Sequence, residues 1–233
     1  MVNKKKQQLN MKLKLWLIIL LIPVSIALYT TTIIMWQQLK ELPMVKQFSK
    51  EEKKDVPSFD IEIPNQYIPV YQKAAKKYNV PWTLLAAHHR IETRFSSMKT
   101  LESPAGAVGH LQFMPCTFVG WSHPTCKDLG KGHIKKKELT SPKTINKYGG
   151  YGVDANGDGI ADPYNIEDAV YSAANYLAAS GAADGKIKKA IYQYNHSEEY
   201  VDNVFYYYKL YEENKKELVY NSKISLKAAK KVE

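Results

Sequence analysis

The sequence predicts a mainly α protein, a helical domain preceded by a single N-terminal transmembrane helix. Three observations predict it. Apolar residues recur at helical spacing through most of the stretch 64–213, neither βαβ alternation nor a repeat period is visible, and residues 15–36 form one uncharged apolar run.

The apolar run reads LWLIILLIPVSIALYTTTIIMW. As a helix it reaches about 33 Å, enough to span the hydrocarbon core of a bilayer. Pro23 is tolerated in such a helix, and Trp16 and Trp36 sit near its ends, where indole rings favour the interface. Lysines dominate the flank 1–14, so the positive-inside tendency leaves that basic tail in the cytoplasm and the rest of the chain outside. The rival reading is a cleaved signal peptide, which would need a shorter apolar core and a small-residue cleavage site. Residues 37–63, with KEEKKD at 50–55, read as a charged stalk, and residues 214–233 as a basic C-terminal tail.

Within 64–213 the helices are expected in order. Asn65 precedes a helix with Ile68, Tyr71, Ala75 and Tyr78 on one face, with Pro69 in its first turn. Pro81 opens a second, with Leu84, His88, Ile91 and Phe95 on one stripe. A shorter helix is expected over Leu111 to Trp121, then long loops between Gly106 and Asp162. Asn165 with Asp168 resembles a capping box for a helix that Gly181 ends. Another follows over Ile187 to Tyr194, and Ser197 with Glu199 introduces a last long one carrying Val201, Val204, Phe205, Tyr208 and Tyr211.

Composition narrows function. The formal charge is +10, but lysines crowd the two ends, and no zinc-finger spacing, aromatic RNA-binding signature or trusted helix-turn-helix pattern occurs, which speaks against a nucleic-acid partner. Cys116 and Cys126 are either a short disulfide or two separate thiols. Glu92, in AAHHRIETRF, stands near the end of the second helix among Leu85, Ile91 and Phe95. An apolar wall and a helix C-terminus both disfavour a carboxylate, so this acid is expected to hold its proton near neutral pH, as a general acid must. The plain alternative is an exposed glutamate paired with Arg90 or Arg94.

Four blocks carry a stronger signal: VPWTLLAAHHRIETRFSS, SPAGAVGHLQFMPCTF, ADPYNIEDAVYSAANYLAASG and AIYQYNHSEEYVDNV. In this order they resemble the soluble lytic transglycosylase superfamily, and they are most similar to its MltB-like branch, over roughly residues 64–211. The resemblance implies a lysozyme-like, goose-type fold and, with no cofactor required, cleavage of the MurNAc-GlcNAc β-1,4 bond of peptidoglycan glycan strands to a 1,6-anhydro product. It implies that Glu92 is the single catalytic acid and base. It implies that Gly109 to Pro115 lines the glycan groove with Gln112 and Met114 as contacts, and that Tyr194 and Asn195 are a Tyr-Asn pair whose hydroxyl lies near the acid. Thr93 and Cys116 stand where serine is usual. Glu102 and Asp162 are the candidates for a second acid; a lysozyme-type muramidase that hydrolyses the bond, and a non-catalytic wall-binding scaffold of an envelope-spanning conjugation or secretion machine, are the alternatives.

A second constellation is DANGDGIAD at 154–162. Oxygens at alternate positions with glycine at the sixth reproduce the first nine positions of an EF-hand loop, with Asp154, Asn156, Asp158, the Ile160 carbonyl and Asp162 as ligands of a structural Ca²⁺. The MltB-like branch is similar here too. Position twelve is Asn165 rather than glutamate, so a metal-free Asx turn stands beside the Ca²⁺ reading. Trp82, Trp121, Tyr151, Tyr164 and Tyr192 are rings that either stack on sugars or pack internally.

Overall fold

The computed structural model describes residues 16, 19, 21–23, 25–35, 37–38, 62–127 and 129–229. The chain divides into two units, residues 1–58 and 59–233. In the first, the described residues are helical, and Trp16, Ile22, Leu28 and Ile33 are exposed. Among the described residues no helix is long and apolar enough to cross a membrane. Positions 15, 17, 18, 20, 24 and 36 of the expected span, the tail 1–14 and most of the stalk lie outside them.

The second unit is helical, and among its described residues extended pairing is confined to two isolated bridges, Glu102 with Val108 and Val108 with Phe113. Helix α1 (Ile68–Tyr78) has proline in its first turn, buries Ile68, Tyr71 and Ala74, and stops where Asn79 turns left-handed. Helix α2 (Trp82–Thr93) follows Pro81 and buries Leu84, Leu85, His88 and His89. Helix α3 (Pro115–Val119) is shorter than the sequence suggests. Residues 108 and 113 are spent on the bridges, and Gly109 and Gln112 have φ of 79° and 48°, which no helix accommodates.

Two short helices interrupt the region expected as loops, α4 (Lys136–Leu139) and α5 (Pro142–Tyr148). The second has a complete set of end signals: the Ser141 hydroxyl accepts from Thr144 N–H, proline stands in the first turn, and Gly149 closes it at φ 72°. Helix α6 (Ile166–Ala179) is capped by Asn165, whose side-chain oxygen accepts from Glu167 and Asp168 N–H. The reciprocal half of the capping box is absent, because the Asp168 carboxylate crosses to the 154–162 loop instead. Gly181 (φ 111°) turns the chain into a short 3₁₀ segment and α7 (Ile187–Tyr194). Ser197 caps α8 (Glu198–Glu213) by accepting from Tyr200 N–H.

The stretch expected as a C-terminal tail is instead helical as α9 (Lys215–Ala229). Leu218 and Ser222 are buried, so its first half belongs to the domain. The core is Tyr71, Leu84, Leu85, Leu111, Phe113, Phe118, Leu177, Ile191 and Tyr211, each about 1.5–3 kcal/mol of burial for the larger side chains. Helix α2 is its axis. It packs along α8 and against α1, while α6 lies on α1 and α7 on α8. The α2–α8 pairing is antiparallel: the Thr83 hydroxyl donates to the Glu212 carboxylate at one end, and Tyr200 meets Glu92 at the other.

Candidate active site

The site is built on the last turn of α2. After Thr93 the chain does not simply leave the helix. Arg94, Phe95 and Ser96 take φ of 49°, 57° and 66°, three left-handed residues in succession, none of them glycine. Such a turn costs roughly 1–2 kcal/mol per residue. It is held by Arg94 N–H on the Arg90 carbonyl (2.9 Å), Phe95 N–H on the His89 carbonyl (3.2 Å) and Ser96 N–H on the Thr93 hydroxyl (3.1 Å). Strain of this kind collects at functional sites when the surroundings over-determine it.

Glu92 is half-buried, and the Tyr200 hydroxyl donates to its Oε1 at 2.5 Å. Burial pushes its carboxyl up to about 7, against the opposing pull of the Tyr200 bond. One turn earlier His88 is fully buried, its Nδ1–H donating to the Leu84 carbonyl at 2.9 Å, and burial lowers its pKa to about 4. Among the described residues its Nε2 has no hydrogen-bond partner. The His88 ring lies 4.8 Å from the ring of Tyr194 and 6.1 Å from that of Tyr200. The acid is therefore walled by two tyrosines and a neutral imidazole, which explains why it stays protonated so readily. Both tyrosine hydroxyls are raised well above their usual range, by burial first and then by the charge of Glu92.

The Tyr194 hydroxyl donates to the Leu111 carbonyl at 2.8 Å, which ties the 109–115 block to this wall. Gly109 in that block cannot carry a side chain, since a Cβ there would stand 2.0 Å from the Pro163 carbonyl oxygen. Gln112 is half-buried, and its amide nitrogen donates to the Leu101 and Gly109 carbonyls at 3.0 and 2.8 Å, bracing the loop. Met114 is half-buried at the start of α3, and Asn195 is exposed at the end of α7. Glu92, Tyr194 and Leu111 beside Gln112 are thus brought together; the hydrogen bond to the acid comes from Tyr200, not from Asn195 or Met114. Tyr200 is the partner that sequence reasoning missed. Its signal was its place in the first turn after the Ser197 cap, inside the fourth block.

On the other side of α2 runs a polar relay. The Tyr71 hydroxyl meets His89 Nδ1 (2.6 Å), His89 Nε2 meets Ser96 Oγ (2.7 Å), Ser96 Oγ meets His110 Nδ1 (2.6 Å), and His110 Nε2 meets the Tyr164 carbonyl (2.8 Å). A carbonyl only accepts, so Nε2 of His110 carries the hydrogen, and with neutral rings every other link is then fixed as donating in the same direction, from Tyr71 outward. Glu102 is exposed and Asp162 accepts from Tyr164 N–H (2.9 Å); both act on Tyr164, and neither contributes to the shift of Glu92.

The 154–162 loop is closed by its own backbone. Asp154 accepts from Gly157 and Gly159 N–H, Asp158 from Ile160 N–H, and Asn156 from Asp158 N–H. The buried Asp168 accepts from Ala155, Asn156 and Asp162 N–H at 2.8, 3.4 and 2.9 Å, clasping both ends. Among the described residues no three His, Cys, Asp or Glu side chains gather to hold a metal ion. The side-chain oxygens of the expected ligands Asp154, Asn156, Asp158 and Asp162 accept backbone N–H groups in an Asx-rich turn that also accounts for the glycines, and Ile160 gives its N–H to Asp158.

Cys116 and Cys126 form a disulfide, so the chain has no free thiol. A groove of about 1190 Å³ passes the end of α2 between Arg90, Arg94, Phe95 and Tyr207, with the Arg90 guanidinium 4.3 Å over the Tyr207 ring. Glu92 is not among its lining residues.

Comparison with known proteins is sparse. No family model matches the chain. No solved structure matches it. The chain is 27% identical over 143 residues to an L-Ala–D-Glu endopeptidase of Bacillus subtilis (strain 168), a match that covers 61% of this chain and 40% of that protein. The chain thus spans well under half the length of the curated relative it matches.

Proposed function

We propose that this chain is a membrane-anchored peptidoglycan lytic transglycosylase of the lysozyme-like, goose-type class, with Glu92 as its one acid and base. The observation that carries the reading is the state of Glu92: a half-buried carboxyl that burial pushes up to about 7 and that the Tyr200 hydroxyl bonds. As a neutral acid it protonates the oxygen that links MurNAc C1 to GlcNAc, and the C1–O bond breaks. The resulting carboxylate takes the proton of the MurNAc C6 hydroxyl while that oxygen bonds to C1, closing the 1,6-anhydro ring and restoring the acid without water. Tyr200 orients the carboxyl and steadies its ionised form. Gln112, Met114, Tyr194 and Asn195 are proposed to line the strand.

The relative supports the wall as the setting, because an L-Ala–D-Glu bond belongs to the stem peptide of peptidoglycan. The apolar run at 15–36 and its lysine flank support an anchor with the domain outside the membrane, and a disulfide suits an oxidising compartment. An envelope-spanning assembly is compatible with this placement as a partner.

The test is digestion of purified peptidoglycan by the full chain in detergent, with the muropeptides weighed by mass spectrometry. Products lighter by one water are expected. Hydrated reducing ends would make the enzyme a muramidase, and stem-peptide cleavage with intact glycan would overturn the assignment.

A further inference from the structure

We propose that the cleft floored by Trp121, Tyr151 and Tyr176 is a sugar-binding subsite for N-acetylhexosamine rings, separate from Glu92. Its choice of ligand rests on the glycan reading above. The cleft encloses about 390 Å³, at the small end of ligand sites, and Thr117, Ser180, Lys189 and Gln193 complete its rim. Trp121 is 52% exposed, whereas Trp82 is buried in the core. A large ring left in water beside hydroxyl, amide and ammonium groups, with no carboxylate in the lining, suits a neutral polyol. The ring faces offer a platform to the C–H face of a pyranose, and the rim offers donors and acceptors to its hydroxyl and acetamido groups.

The cleft is rigid, which spares a ligand the work of ordering it. The Cys116–Cys126 disulfide closes the loop that carries Trp121. Gly120 (φ 114°) lets that loop press on the next segment, where a Cβ would stand 2.1 Å from the Tyr148 carbonyl oxygen. Gly130 lies under the indole, and a Cβ there would meet it at 3.0 Å. Tyr151 is fixed by its N–H on the Thr117 carbonyl (3.2 Å) and by the Asn175 amide on its own carbonyl (3.3 Å). The Tyr176 hydroxyl donates to the Gln193 carbonyl at 2.6 Å.

Half-buried rings continue from the cleft to the acid. Centroids of Tyr151 and Tyr176 are 4.6 Å apart, Tyr176 and Tyr194 5.5 Å, and Tyr194 stands against His88 in the wall around Glu92. This continuity gives the cleft a place on the path of one strand.

The experiment uses the full-length Glu92→Gln chain in detergent, titrated with the N-acetylglucosamine tetramer and followed by calorimetry and tryptophan fluorescence. Trp121→Ala in that background is expected to weaken binding by about tenfold or more, Trp121→Phe to recover most of it, and Tyr220→Ala, an exposed ring on α9, to leave it unchanged. Gln193→Ala should lower affinity severalfold, and it decides the matter if Trp121→Ala melts early. No binding by the parent, or Trp121→Ala and Gln193→Ala both within twofold of it, overturns the subsite. Muropeptide release by the wild type with no Trp121-dependent binding removes the cleft alone, and Trp121-dependent binding with no products removes Glu92 alone.

Discussion

Two acids on neighbouring helices, Glu92 on α2 and Asp168 on α6, have been given opposite surroundings. Glu92 has a single hydroxyl partner and a wall of rings, so its ionised form is poorly supported. Asp168 is fully buried, and burial raises its pKa as well, but three backbone N–H groups hold it back. An under-supported carboxyl keeps a proton to give away; a well-bonded one serves as a clasp. Burial alone does not decide how strongly an acid holds its proton; the number of donors aimed at its carboxylate does.

Glu92→Gln tests the first half and should have the largest effect, a loss of cleavage by about 10²–10⁴-fold. It should also stabilise the fold above neutrality. The folded pKa of about 7 lies above the ordinary 4.5, so the folded chain keeps a proton that the unfolded chain releases, and stability falls as pH rises through that window. The variant escapes this loss. It should melt higher than the parent at pH 8 and alike at pH 4, read by circular dichroism.

Asp168→Ala tests the second half. Three N–H groups lose their acceptor, so the domain should lose on the order of 3 kcal/mol and melt roughly 10 °C lower. Full stability with lost cleavage would erase the contrast. The smallest effect is expected of Tyr200→Phe. Its bond lowers the pKa of Glu92, so its removal raises it further, and the alkaline limb of the pH–rate profile should move up while the rate at pH 6 drops about tenfold. A limb that moves down would show that Tyr200 acts in some other way.

The local grammar of the chain was legible. The caps at Asn165 and Ser197, the stop at Gly181 and the stripe through Leu84 and His88 stand where the spacing puts them. So does the raised acid, because Leu85, Ile91 and Phe95 announce its apolar setting. Helix α5 had its signals in Ser141, Pro142 and Gly149 but lies in glycine-rich sequence that reads as loop. Helix α9 was hidden because lysines at 215, 216, 223 and 227 interrupt its apolar residues, and its anchors, Leu218 and Ser222, gain meaning only from the surface they meet. Tyr200 could not be paired with Glu92 by spacing, since 108 residues separate them. Asp168 looked like half of a cap because its reach to residues 155 and 162 depends on how the loop folds back.

The one-way relay behind α2 has a consequence for the chemistry in front of it. Burial holds His89 at about 3 and His88 at about 4, so both imidazoles remain uncharged while Glu92 titrates near 7. Near neutral pH, a proton arriving at Glu92, His88 or His89 has one address, Glu92. The charge on this stretch of α2 then changes at Glu92 while the two imidazoles stay neutral, and the helix works as a silent frame around a single switch.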